Sequence, residues 1–209
     1  MNYNEAQLEI INTIDGNIGV IASAGSGKTT VLTKRIENMV KNHSVAPQDI
    51  LAVTFSKKAK ENIQNKLKEL NVNGVNIETF HSLALKIIGT RYGVGYFKVW
   101  TLQWEKEKVI QTICYNRMNL CSKEDVPYND ILRFIGKQKN AMLSIKDVLI
   151  YSDDDPFSKN NMKEIFVNYE RFKEENKYIE FDDFLNLANE ALDEDENTYN
   201  YYSNCFKYV

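Results

Sequence analysis

The stretch Ile18-Gly19-Val20-Ile21-Ala22-Ser23-Ala24-Gly25-Ser26-Gly27-Lys28-Thr29-Thr30 decides how the rest of the chain is read. Its mostly apolar opening, with turn formers on both sides, predicts a buried strand over Ile18 to Ala22. The small residues that follow let successive backbone N–H groups curl around a pyrophosphate, and a helix starting at Thr29 adds partial positive charge. Ala24, Gly25, Ser26, Gly27 and Thr30 are therefore expected around a nucleotide, with Lys28 reaching its β- and γ-phosphates and the Thr29 hydroxyl on Mg²⁺. The strict phosphate-loop pattern begins with glycine where this chain has Ala22, a residue small enough to keep the loop. A bare glycine turn is the plainer alternative, but it gives no reason for a lysine at a crowded helix start. The reaction stays open, since kinases, GTPases, motors and helicases share this element.

Around the loop, composition sets the frame. At 209 residues the chain is long for one average domain and short for two. A hydrophobic content of 43% with 26% charged residues is that of a globular protein able to bury a core. No apolar run reaches membrane-spanning length, and the start Met1-Asn2-Tyr3-Asn4-Glu5 has no basic-then-apolar leader pattern, so no membrane partner and a cytoplasmic location are expected. Cys114, Cys121 and Cys205 lack C-x-x-C spacing and read as reduced, partly buried thiols.

The net charge of −3 hides an asymmetry. Ser26 to Leu70 carries nine Lys/Arg against four Asp/Glu, whereas Asp147 to Glu196 carries five against sixteen. A basic stretch beside a phosphate loop points to a second polyanionic partner. The acidic stretch reads as a solvated face or a domain surface rather than a site.

Periodicity gives alternating helix and strand in the first third. Helices are predicted over Ala6 to Ile14, Thr29 to Lys41, Lys57 to Leu70 and Ser82 to Ile88, with strands over Ile50 to Phe55 and Val75 to Thr79. That alternation means a parallel sheet. After Gly89 strand candidates vanish, and helices are predicted over Leu102 to Met118, Asp130 to Lys139, Asn161 to Glu175 and Asp183 to Leu192. Phe206-Lys207-Tyr208-Val209 reads as the opening of another strand, which suggests a truncated domain.

Three further motifs make the set recognisable: Asn4-Glu5-Ala6-Gln7 upstream of the loop, Thr54-Phe55-Ser56-Lys57-Lys58-Ala59, and Glu78-Thr79-Phe80-His81-Ser82. Together with the phosphate loop they resemble the N-terminal part of a UvrD/Rep-type superfamily 1 DNA helicase over nearly the whole chain. The resemblance implies an α/β fold: a RecA-like, phosphate-loop parallel sheet over residues 1–90 and 178–209, with an all-helical insertion over 91–177. It implies that Gln7 reads adenine, which its side-by-side donor and acceptor suit, and that ATP and Mg²⁺ are the cofactors. It also implies that Thr54, Phe55, Lys57, Lys58, Thr79, Phe80 and His81 face single-stranded DNA or a single/double-strand junction. The chemistry agrees, because exposed aromatics stack on bases and lysines hold phosphates. Read without the family, Phe55 and Phe80 are equally well core residues and His81 a structural histidine.

Ile179-Glu180-Phe181-Asp182-Asp183-Phe184-Leu185 resembles the Asp-Phe-Asp-Asp-Leu segment of these helicases, and Asp182 and Asp183 read as an acidic helix start rather than a catalytic pair. Ser23 replaces a glycine common in close UvrD and Rep relatives, and Thr30 stands where many members have a nucleotide-contacting arginine. In the family the strand opening at Phe206 leads to Asp-Glu-x-x-Asp, whose carboxylates complete Mg²⁺ coordination and activate water. A second motor domain of the same chain supplies arginine fingers. Losing an arginine finger alone removes roughly 10³ to 10⁵ in rate in related hydrolases, so the 209 residues alone are expected not to turn over. A naturally short, catalytically dead ATP- or DNA-binding protein and a phosphate-loop kinase remain the alternatives.

Overall fold

The computed structural model describes residues 3–23, 25–118, 126–141 and 159–209. Contacts divide the chain into two compact units, one of residues 1–83 with 196–209 and one of residues 84–195. Each is a mixture of helices with a small parallel strand pair.

The first unit holds helices α1 (Glu5–Asn12), α2 (Lys28–Asn42) and α3 (Lys57–Glu69), strands β1 (Leu51–Thr54) and β2 (Asn76–Thr79), and the start of α4 (Phe80–Tyr92). β1 and β2 pair in parallel, with Leu51 opposite Asn76 and Thr54 opposite Thr79. Ile36 and Met39 of α2, Ile63 and Leu67 of α3, Ala52 and Ile77 from the strands, and Ile50 just before β1 belong to its core. The helical spacing of those apolar positions is what turns the lysines of α3 away from the sheet. Tyr208 lies beside β1 as an isolated parallel bridge to Ile50, its carbonyl accepting from Leu51 N–H at 2.9 Å, and no strand forms there.

The predicted strand over Ile18 to Ala22 does not form. Among the described residues no backbone hydrogen bond joins that run to β1 or β2, and a strand is defined by its ladder. Ile18, Val20 and Ile21 are exposed as a result, Ile21 completely.

The second unit contains the rest of α4 together with β3 (Lys98–Val99), α5 (Gln103–Met118), α6 (Tyr128–Asn140), α7 (Lys159–Asn176), β4 (Tyr178–Ile179) and α8 (Phe181–Glu194). The parallel pair of β3 with β4 corrects the expectation that strands cease after Gly89. Two residues per strand are too few to leave a periodic signature. Helix α9 (Glu196–Cys205), also unforeseen, belongs to the first unit. Trp100, Ile110, Cys114, Ile131, Ile165 and Tyr169 are central to the second core. Burial pushes the Cys114 thiol up to about 11, consistent with an inert reduced cysteine; Cys121 lies outside the described residues.

An ion network crosses this core. Lys139 of α6 bonds Glu180 at 2.5 Å and lies 3.1 Å from both Glu170 and Asp183, while Lys173 of α7 reaches Asp183 at 2.6 Å and Lys106 of α5 reaches Glu180 at 2.6 Å. Tyr169 donates its hydroxyl to Glu180 at 3.0 Å. Asp183 also accepts from the Glu180 backbone N–H at 2.6 Å, closing a capping box at the start of α8. The acidic segment is thus a helix start, as its sequence reads, and a charge hub as well. Glu170, Glu180 and Asp183 cluster closely enough for a metal, but the lysine ammoniums already neutralise them.

Burial alone would raise the Glu180 carboxyl, yet the ammoniums of Lys139 and Lys173, with hydrogen bonds from Lys106 and Lys139, hold it at about 2. A depressed folded-state value stabilises the fold above the ordinary carboxylate range. That stability is expected to drain as pH falls from about 4.5 towards about 2, and acid titration followed by circular dichroism measures it. A helical signal flat across that interval in wild type and in Glu180→Gln alike would contradict this.

Candidate nucleotide and nucleic-acid site

The phosphate-loop sequence makes a left-handed turn into α2. Gly25 and Gly27 have φ of +79° and +86°, a region open to glycine and strained for other residues, so both positions require it. Gly27 is the N-cap of α2, and having no side chain it leaves the first N–H groups of the helix without a side-chain partner. The Ser26 hydroxyl is buried with no hydrogen-bond partner among the described residues. Uncapped N–H groups, a helix dipole and a buried hydroxyl make a cluster of donors suited to an anion.

Lys28 curls back over the loop, its ammonium donating to the carbonyls of Ala22 at 2.8 Å and Ser23 at 2.6 Å. An ammonium has three N–H donors, so a third is left to point elsewhere. Thr29 follows, half-buried in the first turn of α2. Thr30 accepts at its hydroxyl from Lys66 of α3 at 3.0 Å. Ala24 lies outside the described residues.

Gln7 is brought to the same loop, donating from its Nε2 to the Ser26 carbonyl at 3.3 Å. Its spacing from Asn4 serves a second purpose. Asn4 is the N-cap of α1, accepting from Gln7 N–H at 2.9 Å, while Gln7 Oε1 accepts from Asn4 N–H at 3.1 Å. This capping box fixes the carboxamide, which retains one more N–H and one more lone pair.

What places Gln7 there is a set of contacts that sequence reasoning missed. Arg35 of α2 donates to the carbonyls of Ile10 and Ile14, at 3.0 and 3.1 Å, and Asn38 donates to Ile11 at 3.0 Å. The orphan carbonyls at the end of α1 are thereby satisfied and the helix is pinned to α2. Burial lowers the Arg35 pKa, partly offset by Asp15. No sequence signal marks such residues, because their partners are backbone atoms far upstream.

The other predicted residues gather at the carboxyl edge of the strand pair. Thr54 and Thr79 are register partners, so Phe55 and Phe80, each the next residue, leave the sheet at the same end. Phe55 is 85% exposed and Phe80 50%, which disposes of the core-packing alternative for both rings. Lys57 and Lys58 are exposed in the first turn of α3, behind the Ser56 N-cap. Positive charge there opposes the helix dipole, which disfavours each by roughly 0.3–1 kcal/mol, so helix stability does not explain them. Thr79 is buried and exchanges hydrogen bonds with Ser82, its N–H donating to Ser82 Oγ at 2.8 Å and its Oγ1 accepting from Ser82 N–H at 3.1 Å. Lys60 pairs with the buried Glu78 at 2.8 Å, tying α3 to the same turn. His81 is half-buried on α4.

The glycine-turn loop ahead of α2 and the exposed aromatic-basic edge are both carried on one small parallel α/β unit. Comparison with known proteins gives the family: residues 3–209 match the UvrD/REP helicase N-terminal domain, and the chain belongs to that family. It is 30% identical over 213 residues to the ATP-dependent DNA helicase PcrA of Leuconostoc citreum, an alignment covering 99% of this chain and 28% of that protein. To PcrA of Staphylococcus epidermidis it is 28% identical over 214 residues, covering 100% and 29%. To the putative ATP-dependent DNA helicase YjcD of Bacillus subtilis it is 29% identical over 217 residues, covering 100% and 28%. The chain thus spans less than a third of the length of these relatives. No helix among the described residues is long and apolar enough to cross a membrane.

Proposed function

We propose that this chain is the N-terminal ATP- and single-stranded-DNA-binding module of an ATP-dependent DNA helicase of the UvrD/Rep type. The observation that carries the reading is the convergence on one loop of Lys28, the two left-handed glycines, the buried Ser26 hydroxyl and Gln7. In the reading, the backbone N–H groups of residues 25–29 and the Lys28 ammonium hold the polyphosphate, Thr29 ligates Mg²⁺, and Gln7 turns its remaining donor and acceptor to adenine. The bound metal would supply charge neutralisation at the phosphates.

DNA is assigned to the carboxyl edge. Phe55 and Phe80 offer stacking faces, Lys57 and Lys58 phosphate contacts, and His81 a donor, with Thr54 and Thr79 setting the positions of the rings. Residues 1–90 and 178–209 are assigned to a RecA-like motor domain and 91–177 to an insertion. The second motor domain of the same protein, and a single/double-strand junction as substrate, complete the proposal. Without those partners the 209 residues bind and do not turn over.

Titrating the chain with a fluorescent ATP analogue and with a labelled oligonucleotide tests both sites. Phe55→Ala is expected to weaken oligonucleotide binding by about 1–3 kcal/mol while leaving nucleotide affinity unchanged. Equal oligonucleotide affinity in wild type and variant would remove Phe55 from the DNA face.

A further inference from the structure

The half-buried ammonium of Lys66 has the Thr30 hydroxyl as its hydrogen-bond partner and forms no ion pair with a carboxylate among the described residues. Three other lysines of the same unit do find carboxylates: Lys34 and Lys41 pair with Glu37, and Lys60 pairs with Glu78. Withdrawing a lysine partly from water against a neutral hydroxyl is a poor exchange, since the hydroxyl brings no countercharge to offset the lost hydration of the ammonium. The lysine stands, moreover, over the first turn of α2, where the uncapped helix N-terminus and Lys28 already concentrate positive charge. Positive charge with no ion pair among the described residues, at the start of the helix that follows the buried Ser26 hydroxyl, is the electrostatic form of an anion site.

We infer that Lys66 is a second cation of the nucleotide site, held by Thr30 beside the phosphate loop and contacting a phosphate oxygen of the bound nucleotide. The inference rests on the nucleotide reading above and adds to it a residue from another helix. Thr30 acts as a positioning residue, orienting the ammonium through its hydroxyl without touching the ligand. Because α3 opens with Lys57 and Lys58, and Phe55 lies just before its N-cap, the same helix would present one basic group to the nucleotide and others to the DNA face.

The test compares Lys66→Met, Lys66→Arg, Thr30→Val and Lys28→Ala in the 209-residue chain, using fluorescent analogues of ATP and ADP, adenosine as an unlabelled competitor, and thermal unfolding. Lys66→Met is expected to weaken ATP and ADP analogues by roughly tenfold or more while sparing adenosine, as loss of a charge-assisted bond to phosphate requires. Lys66→Arg should restore most of that affinity. Thr30→Val, which keeps the charge, should lose only a fraction of it. If Lys66 merely pins α3 to α2, Lys66→Met and Thr30→Val will lower the melting temperature alike and leave nucleotide affinity unchanged, which overturns the inference. An equal loss for adenosine would place Lys66 at the base and overturn the phosphate contact. Lys28→Ala separates the two levels: if it too leaves ATP affinity untouched, the nucleotide reading itself fails, whereas an effect of Lys28→Ala alone sinks only the role of Lys66.

Discussion

Replacing Lys139 by methionine is expected to destabilise the helical unit by about 3–5 kcal/mol at neutral pH, a large share of a typical domain's stability. Methionine fills similar volume, so packing loss is small and the effect is electrostatic. Lys139 lies within 3.1 Å of Glu170, Glu180 and Asp183, and removing it leaves the three carboxylates with Lys173 and Lys106 alone. Carboxylates held in low dielectric without enough positive charge repel one another, and each has lost hydration it cannot recover. The deficit should shrink as pH falls below about 4.5, because protonated carboxyl groups no longer need the ammonium. Urea unfolding followed by tryptophan fluorescence measures this locally, since both tryptophans, Trp100 and Trp104, belong to this unit. A neutral-pH loss below about 1 kcal/mol would show that the network is a surface-like arrangement with little net contribution.

Lys28→Ala should lower affinity for an ATP analogue by roughly tenfold to a hundredfold, the range for losing one or two charge-assisted hydrogen bonds. Stability should hardly change. The Lys28 ammonium is exposed and, among the described residues, bonds only the Ala22 and Ser23 carbonyls, groups that water can satisfy in its place. The loop backbone is set by Gly25 and Gly27 and remains intact in the variant. Isothermal titration alongside thermal unfolding separates the two effects. A protein that melts at the wild-type temperature and binds the analogue as before would sink the assignment of Lys28 to phosphate.

How much of this was legible in the sequence depended on the range of the interactions involved. The phosphate loop was readable because glycine at a left-handed position and a lysine at a helix start are local demands. Strands β1 and β2 were readable because their apolar runs are long enough to register, and their pairing places Phe55 and Phe80 at one edge. The run from Ile18 to Ala22 reads equally well as a strand, yet an apolar pattern states a need for neighbours and cannot state that they are present. Asn4 and Gln7 carried two messages in one spacing, a capping box and a candidate adenine reader, and only the first is satisfied by local geometry alone. Arg35, Asn38 and the charge hub around Lys139 were invisible, since helices far apart in sequence bring those groups together. The acidic excess over Asp147 to Glu196 reads as a solvated face or a domain surface, and part of it is instead buried against lysines: Glu180 and Asp183 are less than a tenth exposed.

The most direct test of the central claim uses the reading frame extended to the length of the relatives and measures ATP hydrolysis with and without single-stranded DNA. Hydrolysis stimulated by the strand, and abolished in the same protein by Lys28→Ala, is the predicted result. Turnover that proceeds equally without DNA would contradict the assignment of this module to a DNA-driven motor.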